Sequence, residues 1–191
     1  KIICSTDSKK TKLIVEKLGY NVPFLRPKII SGKYATDVTF INHALKFFYN
    51  KGLSFIVGVI LRPTAPFRSE KILNNAYKIF KKLQFDSMRA ITVAKQTPYR
   101  MWKRQGNRIR PFLKNKLYEQ FNIPRQKLPK IYFQAGNFEF FKVNYRSSIR
   151  SVSGTKIYGY LIEGFLAADI DNKEEFNKAK DLFKLKSGFI K

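Results

Sequence analysis

The sequence predicts an α/β protein with a mostly parallel sheet and flanking helices, and three observations carry that reading. Residues 55–61 form an unbroken apolar run, Phe55-Ile56-Val57-Gly58-Val59-Ile60-Leu61, the pattern of a strand buried on both faces of a parallel sheet. That run leads through Arg62-Pro63-Thr64-Ala65-Pro66-Phe67-Arg68-Ser69 into a helix whose apolar residues Ile72, Leu73, Ala76, Ile79, Phe80 and Leu83 follow the i, i+1, i+4, i+7, i+8, i+11 template. Strand and helix signals alternate along the first half of the chain, as right-handed βαβ units require.

Taken in order, residues 1–5 read as a short buried strand, and Thr6-Asp7-Ser8 can cap a helix over about 9–18 that Gly19 ends. Val22 to Leu25 is extended and Arg26-Pro27 opens a loop through Gly32. A second helix, roughly 36–50, carries Val38, Ile41, Ala44, Leu45 and Phe48 on one face and stops at Gly52. The strand at 55–61, the helix that follows and a strand over 86–94 come next. Residues 98–130 are polar, basic and interrupted by Gly106, Pro111, Pro124 and Pro129, which predicts a hairpin or protruding arm. Extended segments resume at 131–133, 137–143 and 156–162, with Tyr132, Phe133, Phe138, Phe140 and Phe141 read mainly as strand core. The chain closes with a helix whose inner face is Phe176, Ala179 and Phe183; Asp171 and Glu174 have the spacing of a capping-box variant at its start. The organisation expected is one domain over 1–191, with 98–130 as an arm within it.

Composition narrows the function classes. The chain has 191 residues, enough for a proper core, and no apolar run long enough to span a membrane. Its first residues lack the length of a signal peptide's apolar region. One cysteine, Cys4, allows no intrachain disulfide, which fits a reducing cytoplasm, and one histidine with one cysteine excludes zinc-ligand spacings. The net charge is +25, and the excess peaks in residues 71–130, with 16 basic residues against 2 acidic. Such a charge suits a polyanion binder, yet no RNA- or DNA-binding motif accompanies it, so a lysine-rich solvated surface without a specific nucleic-acid partner is the expectation. The chain begins without Met, directly in a strand, which predicts a missing βα unit ahead of it.

Two sets of residues could carry chemistry. Arg62 and Arg68 lie on a proline-stiffened loop beyond the carboxyl end of a strand, where open α/β sheets bind ligands. Arg26, Arg100 and Arg125 also lie close to prolines, and a stiff loop holds a planar guanidinium against a carboxylate or phosphate at little entropic cost. Asp169 and Asp171 lie two apart on an extended segment and so share a face. Two such carboxylates suit Mg²⁺, which takes one or two protein carboxylates and completes its shell with phosphates and water. The plainer alternative has Asp171 capping the last helix and Asp169 facing solvent. His43 has no Ser, Asp or Cys partner pattern, which makes it a helix residue rather than a catalytic base.

Six ordered blocks resemble the acylneuraminate cytidylyltransferases, the CMP-sialic acid synthetases. They are Ser5-Thr6-Asp7, Pro23-Phe24-Leu25-Arg26-Pro27, Leu61 to Arg68, Pro98-Tyr99-Arg100-Met101-Trp102, Pro124-Arg125-Gln126-Lys127-Leu128-Pro129 and Asp169-Ile170-Asp171. The resemblance implies a nucleotide-diphospho-sugar transferase-like fold with a dimerisation arm. It implies transfer of CMP from CTP to an acidic nine-carbon sugar, with release of pyrophosphate by a cytoplasmic Mg²⁺-dependent homodimer. By the same resemblance, Asp169 and Asp171 fall on metal-binding positions, and Arg26, Ala35 and Asp37 on the cytidine side. Arg62, Thr64 and Gly136 fall on the sugar side, with Arg62 also assigned to catalysis, and Arg100 and Arg125 on positions that meet the sugar carboxylate.

Three departures stand out. The basic, glycine-containing N-terminal loop that holds the triphosphate is absent, so the chain as given is expected to bind CTP poorly. Arg62 replaces a common Gln, and Ala135-Gly136-Asn137-Phe138-Glu139 replaces Asn-Gly-Ala-Ile-Tyr, so a remodelled sugar pocket for another nonulosonic acid is expected. Two competing readings are a non-catalytic relative or fragment that only binds or dimerises, and a basic nucleic-acid-binding domain.

Overall fold

Local capping signals place the helices, and long-range pairing decides the sheet. A computed structural model of the protein describes residues 1–113, 119–143 and 147–186; residues 114–118 of the expected arm lie outside it. Helix α1 (Lys9–Lys17) begins where Ser8 Oγ accepts the Thr11 backbone N–H at 3.1 Å, satisfying one of the orphan donors of its first turn. Gly19 then leaves the helix at φ +82°, a conformation open to glycine at little cost. Helix α2 (Asp37–Tyr49) buries Ile41, Leu45 and Phe48 along one stripe. Helix α3 (Glu70–Lys82) starts where Ser69 Oγ accepts the Ile72 N–H and sinks Ala76 and Phe80 into the core, as the periodicity predicts. The last helix, α4, spans Lys173–Lys186.

Strands β1 (Val57–Ile60), β2 (Ser87–Val93), β5 (Tyr132–Lys142) and β6 (Ile157–Leu161) form one sheet in the order β1-β5-β2-β6. The Lys142 N–H bonds to the Asp86 carbonyl and the Ala94 N–H to the Ile131 carbonyl, so β5 runs antiparallel to β2. The Val143 N–H bonds to the Ile56 carbonyl and Gly58 faces Phe141, so β5 runs antiparallel to β1 as well. Bonds from Asp86 N–H to Lys156 O and from Ile162 N–H to Ile91 O make β2 and β6 parallel. Three strands thus share a direction while β5 runs against both of its neighbours, a mixed sheet with helices beside it, in keeping with the α/β class expected. Strands β3 (Trp102–Gln105) and β4 (Arg108–Pro111) form a separate antiparallel hairpin within residues 98–130.

Three local expectations are corrected. Residues 1–5 are not a strand: Cys4 N–H bonds to Asn21 O, and only an isolated parallel bridge, Thr6 with Leu25, follows. Strand β1 is not buried on both faces; it pairs on one side, with β5, and Ile56 before it is 80% exposed. On α4 only Ala179 of the expected inner face is buried. Phe176 and Phe183 are half exposed because they line an open apolar cavity of about 260 Å³ with Pro66, Phe67 and Ile170. Of the aromatic series, Phe138, Phe140 and Phe141 are core, whereas Tyr132 and Phe133 are exposed.

The chain divides into two compact units. One holds Lys1–Ile60, Ile79–Met88 and the described residues of Phe140–Tyr158. Its core is Ile41, Leu45, Phe141, Val143, Ile149 and Val152. Asn42 anchors α2 there with a two-way amide bond, donating Nδ2 to the Ile149 carbonyl and accepting the Ile149 N–H on Oδ1. The other unit holds Leu61–Lys78 and the described residues of Arg89–Glu139 and Gly159–Lys191. There Ala65, Phe67, Ala76 and Phe138 are buried, and the Phe67 ring meets Phe165 edge-on at 5.5 Å. Among the described residues no helix is long and apolar enough to cross a membrane.

Candidate functional site

The loop after β1 is built as a rigid platform, all of it in the second unit. Ala65 N–H closes a turn on the Arg62 carbonyl, and Ala65, Phe67 and Ser69 are buried beneath it. Arg68 braces the loop from within: its Nε donates to the Asn137 carbonyl at 2.6 Å and its Nη2 to the Arg62 carbonyl. Burial lowers the Arg68 pKa. Buried Asn137 ties the same loop to β5, donating Nδ2 to the carbonyls of Phe67 (2.6 Å) and Leu166 (3.0 Å).

Arg62 points its guanidinium at Glu139 of β5. Nε and Nη2 donate to Oε1 at 2.9 and 2.7 Å, and Arg89 Nη1 of β2 donates to Oε2. Glu139 is 1% exposed, while the side chains of Arg62 and Arg89 are 35% and 17% exposed. A carboxylate so deep is tolerated only when paired and fully hydrogen-bonded, and two arginines meet that requirement here. Gly136 lies beneath Arg62, with room for a Cβ at 3.4 Å from Arg62 Cδ and 3.6 Å from Ala65 Cβ.

The Asp169-Ile170-Asp171 segment is fastened to this platform. Ile170 donates its backbone N–H to the Thr64 carbonyl at 2.8 Å and shares it with Asp169 Oδ1 at 3.1 Å. Asp169 and Asp171 are both exposed. The helix cap falls one residue later than the sequence suggests. Asn172 Oδ1 accepts the Glu175 N–H at 2.9 Å, and Glu175 Oε2 takes the Asp171 N–H at 2.7 Å. The Asp171 side chain is therefore not spent on capping. Among the described residues no cluster of three or more His, Cys, Asp or Glu side chains could hold a metal. A pair of exposed carboxylates on one short segment is nonetheless what Mg²⁺ asks of a protein when phosphates supply its other oxygens, so these residues fit that ion.

The other candidates sit elsewhere. Within residues 98–130, Arg100 Nη2 donates to the Ile123 carbonyl at 2.6 Å and Arg125 Nη2 to the Ala94 carbonyl at 3.2 Å, so both guanidinia clasp backbone. In the first unit, Arg26 Nε donates to Ser31 Oγ at 3.0 Å, Nη2 lies 3.8 Å from Asp7 Oδ1, and the guanidinium stands 5.4 Å from the Phe40 ring centroid. Ala35 N–H closes a turn on Gly32 O just ahead of α2, and Asp37 is the first residue of that helix. His43 of α2 packs edge-on to Phe24 at 4.6 Å, and its buried Nδ1 has no hydrogen-bond partner. Burial first, and the Arg26 charge second, lower its pKa.

Sequence reasoning missed Glu139, Arg89 and Asn137 as parts of this assembly. The available signal was Glu139 itself: one carboxylate inside the apolar run Phe138-Glu139-Phe140-Phe141 has to find a buried cation.

The platform thus sets Arg62 and Arg68 just beyond the carboxyl end of a strand in an α/β sheet. No protein-family model matches the chain. Over 185 residues, 96% of this chain and 78% of theirs, it is 24% identical to two curated proteins, each named pseudaminic acid cytidylyltransferase. They come from Campylobacter jejuni subsp. jejuni of serotypes O:23/36 and O:2. The likeness runs along nearly the whole chain.

Proposed function

We propose that the chain is a cytidylyltransferase that transfers CMP from CTP to a nonulosonic acid and releases pyrophosphate. The observation that carries the reading is the Ile170–Thr64 backbone bond, which fastens two exposed carboxylates to an arginine-bearing loop. The similarity to two enzymes named for this chemistry over 96% of the chain supports it.

In this reading Asp169 and Asp171 hold Mg²⁺, which when bound would neutralise the charge that develops on the phosphates. The rigid loop with Thr64 and Arg62, together with Gly136, forms the sugar side and positions the attacking hydroxyl. Positioning and charge stabilisation supply most of the catalysis in such transfers, so no covalent nucleophile is required. Arg26, Ala35 and Asp37 serve the cytidine. Arg100 and Arg125, which the structure engages with backbone carbonyls, serve the sugar carboxylate only by exchanging those partners on binding. Homodimerisation through the arm belongs to the same reading; its support is the exposed Trp102, Ile109 and Phe112 on the hairpin, and light scattering would check it.

The test is pyrophosphate release by the full-length protein with CTP, Mg²⁺ and a panel of acidic sugars, including pseudaminic and N-acetylneuraminic acids. Turnover with a nonulosonic acid is expected, and inertness towards the whole panel would overturn the reading.

A further inference from the structure

The hairpin of β3 and β4 sorts its side chains onto two faces. Its register sets Trp102 opposite Pro111, Lys103 opposite Arg110, Arg104 opposite Ile109 and Gln105 opposite Arg108. The Phe112 N–H extends the ladder by bonding to the Met101 carbonyl at 2.8 Å. Side chains alternate along a strand, so Lys103, Gln105, Arg108, Arg110 and Phe112 share one face, and Trp102, Ile109 and Pro111 share the other. All five on the first face are exposed. Phe112 stands there beside Lys103, whose Nζ lies 5.2 Å from the ring centroid. An open cavity of about 610 Å³ is lined by Lys103, Arg104, Gln105, Arg110, Pro111 and Phe112.

The charge on this face is uncompensated. Lys103 and Arg110 are directly opposed, a placement in which like charges repel and cost stability. Arg108 follows on the same face, about 7 Å along the strand from Arg110. Among the described residues none of these three cations has an ion-pair partner. The sequence offers no acid nearby: residues 87–118 hold nine Lys and Arg and no Asp or Glu. An anion that bridges the opposed cations would relieve the repulsion, and a row of anions would relieve it for all three.

We propose that this face of the hairpin binds single-stranded nucleic acid without reading its sequence. Lys103, Arg108 and Arg110 take successive phosphates, and the exposed Phe112 ring stacks on a base, the combination that single-strand sites use. Association of two hairpins through Trp102 and Ile109 leaves this face open. The inference goes beyond the cytidylyltransferase reading and does not depend on it.

The probe is a labelled oligothymidylate of about twelve nucleotides, within the span of single-strand sites. It is titrated with the full-length protein and followed by fluorescence anisotropy at several salt concentrations. Lys103→Gln, Arg108→Gln and Arg110→Gln together weaken binding about tenfold or more and reduce the slope of log affinity against log salt by about 2, since each phosphate contact on a single strand contributes about 0.7. Lys78→Gln, Lys81→Gln and Lys82→Gln remove the same charge from exposed positions of α3 and change affinity little. An equal loss from the two triple variants overturns the proposal, because the overall charge of +25 would then carry the binding. Phe112→Leu weakens binding about tenfold with the salt slope unchanged, the mark of lost stacking. Where the first triple variant does not fold, Arg108→Gln decides: it leaves the Lys103–Arg110 pair in place, and a slope that does not fall by about 0.7 overturns the proposal. A duplex that binds as tightly as the single strand overturns it, as does binding of phosphatidylglycerol vesicles in place of the oligonucleotide. Absence of pyrophosphate release bears only on the cytidylyltransferase reading.

Discussion

Asn172 caps α4 by accepting the Glu175 backbone N–H on its Oδ1 at 2.9 Å. With the helix terminus satisfied by Asn172, and by Glu175 in return on Asp171 N–H, the Asp171 carboxylate is left to other uses.

The Asp169→Ala, Asp171→Ala double variant is therefore expected to melt almost as the parent does, since exposed residues away from caps usually change stability by no more than about 0.5 kcal/mol. In a pyrophosphate-release assay it should lose about 100-fold or more in turnover, the scale of removing one preorganised charge-stabilising element. Unchanged turnover, or a collapse in melting temperature, would sink the metal assignment.

Gly136→Ala separates fold from ligand. An added Cβ meets Arg62 Cδ at 3.4 Å and Ala65 Cβ at 3.6 Å, ordinary contact distances, so the melting temperature should hold. If the sugar packs on this backbone, the methyl intrudes on it and KM for the sugar should rise about tenfold, a penalty of about 1.4 kcal/mol. An unmoved KM would place the sugar elsewhere.

Gly58 has no such room. A Cβ there would lie 2.1 Å from Phe141 Cζ, within the buried core of the first unit. Gly58→Ala should cost about 1–3 kcal/mol through overpacking, read as a lower denaturant midpoint at constant m. Adding Phe141→Leu should recover part of that loss, and an undiminished midpoint in Gly58→Ala would contradict the close approach.

His43 predicts a pH dependence. Its folded pKa lies below the ordinary 6.5, through burial and then the Arg26 charge. The unfolded chain thus takes up the proton first as pH falls. The stability tied to neutral His43 is complete above pH 6.5 and is lost progressively as pH drops below it towards the folded pKa. The stability difference between the parent and His43→Phe, which keeps a ring against Phe24, should be flat well above pH 6.5 and shift against the parent as pH falls below it. A constant difference across that range would remove His43 from the account.

The helices were legible because their signals are local. Ser8, Ser69 and the Ile72-to-Leu83 stripe specify start and buried face without reference to the rest of the chain. The sheet was legible in class but not in order. Nothing near residues 55–61 says that β5, some 75 residues later, rather than β2, becomes their neighbour, and a continuous apolar run looks alike at an edge and at a centre. The paired aspartates were visible from their spacing. Arg62 was visible as a cation, but its partner was hidden, because Glu139 stands in a strand of aromatic residues and an ion pair across 77 positions leaves no periodic trace.

The reversed strand β5 also sets the order in which the sheet can assemble. Strands β1 and β2 are both made early, yet β1 is paired by β5 and β2 by β5 and β6, so neither is paired until the ribosome has released residues 132–142. Helices α1 to α3 can fold on local signals while those strands wait, and sheet closure then comes late and through distant contacts, the regime of slow folding. During that interval the apolar run at 55–61 is an unpaired strand, and the basic excess concentrated in residues 71–130 keeps such nascent molecules apart by repulsion.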